Sequence, residues 1–141
     1  IDTVTAAAMW ANTMVTEEFL HIENKHKDLN RLAHEIIGEG GREGYATQYA
    51  RVPVGMMIQA RRRGSLADGF AGDRAITFVI SGEPDDFIVH LGISKWARSI
   101  ATAALDPLFL SSLFLSVDVQ EVLWSKYVEE GIVKKINALV G

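Results

Sequence analysis

The sequence predicts an α+β domain with a long N-terminal helix, a small antiparallel sheet of about three strands, and a C-terminal cluster of about three helices. Three observations carry this. Helical spacing of apolar residues runs from Val4 to Ile37. Runs rich in β-formers follow, broken by Gly, Pro and Asp. After Ser94 the helical pattern returns with fresh cap signals.

In the first segment, Val4, Ala8, Ala11, Val15, Phe19, Ile22, Leu29, Ala33 and Ile36 recur mostly three or four apart, and His26 fills the slot between Ile22 and Leu29. Asp2 or Thr3 can cap the start, and Gly38 offers a left-handed stop. As one rod these residues would run about 50 Å. A compact chain of this size is only about 37 Å across. The rod either protrudes and meets a partner helix or breaks. Thr16 before Glu17 and Glu18, a new N-cap with acids in its first turn, is the best break.

Residues 38–45 read as a glycine-rich connector. Tyr45–Arg51 fits a short helix or a strand, and Pro53 ends it. Val54, Met56, Ile58 and Ala60 then alternate with Gly55, Met57, Gln59 and Arg61, as in a strand. Ala75–Ser81 and Phe87–Ile93, joined by Gly82-Glu83-Pro84-Asp85-Asp86, form a hairpin. Beyond it, Ser94 can cap a helix over Lys95–Leu105, Asp106-Pro107 can start a second, and Asp118 with Glu121 a third that reaches Leu139, with a weak point at Gly131. All 141 residues fit one domain: helix over 1–38, sheet region over 45–93, helical region over 94–141.

A net charge of −4 disfavours electrostatic binding of nucleic acid by the chain as a whole. The absence of cysteine removes disulfides, thiolate metal sites and thiol nucleophiles. Ile1 in place of an initiator Met is read as processing or trimming, and the compartment is left open.

Residues 100–117 (IATAALDPLFLSSLFLSV) are too apolar for an open surface and too interrupted for a clean membrane span. Core burial is their ordinary fate. An oligomer interface or lipid contact would instead use Phe109, Leu110, Leu113 and Phe114, flanked by Trp96 and Trp124. Residues 51–74 carry five arginines against two aspartates, a local balance of +3. Arg61, Arg62 and Arg63, with Arg74 returning across a loop, could converge on an anion such as a lipid headgroup. The alternative is a solvated loop paired with its own acids.

The histidines make no convincing metal site. Glu18 and His21 would share a helix face, but no second pair accompanies them. His26, if buried at an interface, would make assembly pH-sensitive. His90 with Asp85 or Asp86 lacks a recognisable nucleophile, and Gly38, Gly40, Gly41 and Gly44 do not form a dinucleotide motif. No catalytic residue and no cofactor is assigned. The expected function is a non-catalytic module that assembles with copies of itself, in contact with a membrane surface. The alternative is a binder of lipid or a small apolar ligand with an arginine-lined anion site.

Overall fold

In the computed structural model, described over residues 17–62, 74–107 and 131–141, the β-rich sequence forms one five-stranded antiparallel sheet. The elements are β1 (Glu17–Glu23), α1 (Leu29–Arg42), β2 (Tyr45–Val52), β3 (Gly55–Arg62), β4 (Arg74–Glu83), β5 (Asp86–Lys95) and α2 (Ile100–Ala103). Residues 131–140 are helical and are labelled α3. The strand order β1-β5-β4-β3-β2 puts the first two strands on opposite edges. The chain crosses the sheet between them through α1, whose Leu32, Ala33 and Ile36 are buried.

This corrects the expected architecture of a long N-terminal helix, about three strands and a three-helix C-terminal cluster. Residues 17–23 are a strand, paired along their whole length with β5 from Glu17↔Gly92 to Glu23↔Asp86. The spacing of Phe19 and Ile22 suits a helix, but the alternation of Leu20 and Ile22 suits a strand equally well. The ladder along β5 decides between them, as tertiary context commonly overrides local preference. Asn24 and His26 then take positive φ (59° and 47°), which ends the strand. The following loop is tied to the β4–β5 turn by Asn24 N–H to Asp85 O (2.8 Å) and Lys27 N–H to Pro84 O (3.1 Å).

Helix α1 starts later than the expected rod and stops later too. Asp28 caps it, accepting from the backbone N–H of Asn30 and Arg31. Lys27 and Arg31 both reach Glu35, at 2.6 and 3.5 Å. The helix runs through Gly38, Gly40 and Gly41, and the left-handed residue beyond its end is Gly44 (φ 87°). The expected stop at Gly38 and residues 38–42 of the expected connector are therefore the last turns of the helix, with Glu43 and Gly44 forming its cap and turn. Tyr45 onward resolves as strand.

The expected hairpin is present and longer than its β-rich runs, with β4 and β5 paired from Arg74↔Lys95 to Glu83↔Asp86. Strand β5 extends through Lys95, so the helix expected over Lys95–Leu105 shrinks to α2, capped by Ser99. The second C-terminal helix, and the third up to residue 130, lie outside the described residues.

One sheet face meets α1 and α3. Its core holds Ile22, Ile58, Ile76, Phe78, Phe87, Val89 and Leu91 from the strands, with Leu32 and Ile36 from α1 and Ile136 from α3. Part of the other face is covered by residues 97–104, where Val52 and Met57 pack on Ala97, Ile100 and Ala104. Beneath that cover, Gln59, Thr77 and Ser94 are fully buried and bonded to one another. Gln59 also donates to Lys95 O at 2.7 Å, and Gln48 donates to Gln59 Oε1 and to Ala97 O, each at 2.9 Å. Because these amides and hydroxyls are satisfied, the cluster acts as a polar clasp inside the fold rather than an open site.

Candidate ligand cavity

Between the sheet, α1 and α3 lies a cavity of about 270 Å³. Strands β3 and β4 supply an apolar wall from Ile58, Ala60, Ile76 and Phe78. Helix α1 adds Ile36, and α3 adds Ile132, Ile136 and Leu139. Small residues leave the space open. Ala60 lies in the run Met56, Ile58, Ala60 that faces α1 and α3, where a larger side chain would enter the volume. At Gly40, α1 comes so close to β2 that an added Cβ would lie 3.2 Å from Thr47 Cγ2. Glycine there lets the helix lean on the edge strand.

The polar lining side chains come from β2, from the C-terminal end of α1 and from α3: Tyr45 and Thr47, Glu39 and Glu43, and Lys135. Lys135 forms an ion pair with Glu43, which links α3 to the cap of α1. Glu39 accepts from Arg42 Nη2 at 3.1 Å, and that bond holds its carboxyl below the ordinary value. The cavity thus has an apolar body and one polar side. That suits an apolar molecule with a single polar end. A shallower depression of about 500 Å³ lies by the other end of α1, bordered by Asp28, Asn30, Arg51 and Pro84.

The residues singled out from sequence lie elsewhere. Arg61 alternates with the cavity-lining Ala60 and so faces the opposite side of the sheet, where its guanidinium lies 4.3 Å from the centre of the Trp96 ring. The structure therefore joins one predicted anion-site residue to one predicted interface residue. Arg62 stands opposite Tyr45 and Arg74 opposite Lys95 in the ladders, and their side chains are not among those described. Arg63, Phe109, Leu110, Leu113, Phe114 and Trp124 lie outside the described residues.

His21 lies on β1 and His90 on β5, whereas His34 lies on α1 with its ring edge-on to Tyr49. His26 is exposed in the loop after β1, its Nδ1 2.8 Å from Asp85 Oδ1. His21 Nε2 meets Asp86 Oδ1 at 2.6 Å, and this bond raises the His21 pKa above 6.5. His90 lies 3.3 Å from Glu17 and stacks on Phe19 with ring centroids 3.9 Å apart. Glu18 and His21 do not share a face, as the helical reading required, because residues three apart on a strand point to opposite sides. His21 instead groups with Glu23 and Asp86, three exposed side chains whose ligand-capable atoms lie within 4.8 Å of one another.

The sequence reading missed the cavity. The available signal was small residues, Ala60 on β3 and Gly40 on α1, at positions that the apolar pattern assigns to the core. Among the described residues, no helix is long and apolar enough to cross a membrane. No protein-family model matches the chain, and no curated protein or solved structure matches it either.

Proposed function

We propose that the chain binds a small, mostly apolar molecule in the cavity between the sheet, α1 and α3. The observation that carries this is the 270 Å³ space with one apolar wall and one polar side. A dry apolar cavity of about 150 Å³ takes up benzene, so this one has room for about a dozen carbon atoms. The cavity is open on part of its surface, so a ligand can enter it, and a ligand bound to the folded chain stabilises it. Arg61 plays no part in this reading, because it lies on the other face of the sheet beside Trp96.

The other expectation, self-assembly, keeps less support. One of its two grounds was the over-long rod, and residues 17–23 are instead a strand. Among the described residues that strand is an edge strand, it carries Glu17, Glu18 and Glu23, and charged side chains are a usual protection against edge-to-edge pairing. The other ground, the apolar run beyond residue 107, lies outside the described residues.

The test is calorimetric titration with 1-decanol, with amide chemical shifts recorded in parallel. Saturable binding with shifts grouped at Ile36, Thr47, Ala60 and Ile136 supports the reading. An absence of saturable binding, or shifts scattered away from these residues, refutes it.

A further inference from the structure

We propose that the Glu43–Lys135 ion pair sets the ligand's charge class: the cavity favours a neutral, hydroxyl-headed apolar molecule over its carboxylate counterpart. This rests on the ligand-binding reading above. Among the described residues the polar lining groups are neighbours, Glu43 paired with Lys135 and Gly40 of the same helix end seated against Tyr45 and Thr47, so a ligand burying its apolar body against Ile58, Ile76 and Phe78 presents its polar end there. Among the described residues, the charged groups in that lining are two acids and one lysine, Glu39, Glu43 and Lys135.

Both acids are already engaged, Glu39 by Arg42 and Glu43 by Lys135. A ligand carboxylate would bring a third negative charge and would have to share Lys135 with Glu43. Glu43 and Lys135 are both partly exposed, so the cost is the repulsion of like charges near the surface, modest in size. A hydroxyl needs no such partner. It can take its hydrogen bonds at the edge of the ion pair, beside Tyr45 and Thr47. Glu43 is thus the specificity-determining residue. It disfavours anions by occupying the cation that would otherwise bind them.

The experiment compares 1-decanol with decanoate by calorimetry at pH 7.5, in the wild-type chain and in Glu43→Gln. Glu43 is at the surface end of α1, so the conservative amide leaves the core untouched. The wild type is expected to bind decanol about two- to fivefold more tightly than decanoate, the scale of one exposed charge pair. In Glu43→Gln, with Lys135 released, decanoate is expected to gain about two- to fivefold while decanol changes little, and that gain should shrink as salt is raised. Wild-type binding of decanoate as tight as decanol, or an unmoved ratio in Glu43→Gln, overturns the charge-class proposal and leaves the cavity reading intact. Failure of both molecules to bind the wild type overturns both.

Discussion

The Gln59 carboxamide oxygen accepts the Ala97 backbone N–H at 2.9 Å, a bond between the centre of the sheet and the segment that covers its second face. The same side chain holds Thr77, Ser94 and the Lys95 carbonyl through its amide nitrogen. One residue therefore fixes where the chain turns after β5 and lays Ala97, Ile100 and Ala104 over Val52 and Met57.

Gln59→Leu keeps the approximate volume and leaves several buried partners without a bond. At about 1–3 kcal/mol for each orphaned group, with some relaxation, the expected loss is about 3 kcal/mol. For a chain of this size that lowers Tm by roughly 6–12 °C. Thermal unfolding followed by circular dichroism checks it. A loss below about 1 kcal/mol would mean that the polar clasp does not anchor residues 95–104.

The His21–Asp86 bond gives stability a signed pH dependence. The folded pKa of His21 is raised above 6.5, so its contribution is complete below pH 6.5 and fades as the pH rises through the raised value. In an NMR titration, Asp86→Asn should return the His21 pKa toward 6.5. An unchanged value would show that the bond does not form in solution.

Glu35 behaves in the opposite sense. Its hydrogen bond from Lys27 holds the carboxyl below 4.5, so the stability it contributes is present above pH 4.5 and is lost as the pH falls through the lowered value. Glu35→Gln should flatten this part of the acid limb in urea titrations run between pH 5 and pH 3. An acid limb identical to the wild type would contradict the assignment.

Gly82 has φ 119°, and a Cβ there would fall 2.5 Å from the Asp86 carbonyl oxygen and 2.8 Å from Phe87 Cα. Both obstacles are backbone of the paired strand. Gly82→Ala should cost about 2–4 kcal/mol or prevent folding, from the strained φ and the displaced ladder together. Expression with a wild-type Tm would show that the β4–β5 turn is not built this way.

The hairpin was legible in the sequence because β-rich runs and a Gly-Glu-Pro-Asp-Asp turn report local chemistry. β3 was legible for the same kind of reason, through the alternation of Met56, Ile58 and Ala60. Val54, expected on the same face, lies in the turn before the strand and is exposed. β1 was not. Phe19 and Ile22 satisfy a helical spacing, and only the distant ladder from Gly92 to Asp86 makes them strand. The glycines at 38, 40 and 41 read as a connector, since single-residue preference does not reveal that Gly40 sits against Thr47. The cavity was hidden for a related reason. Ala60 looks like any strand alanine until Ile76, Ile36 and Ile136 are brought around it from three other elements. Arg61, chosen for its charge, turns out to rest on Trp96.

The most direct test of the account is calorimetric titration of 1-decanol into the wild-type chain and into Ala60→Leu, with Ala60→Val as a smaller filler. Both side chains grow into the cavity, so decanol affinity should fall by about tenfold or more in the leucine variant and by less in the valine variant. Tm without ligand should be unchanged or raised, because filling a void restores packing contacts. Equal decanol affinity in the wild type and both folded variants would place binding elsewhere and contradict the central claim.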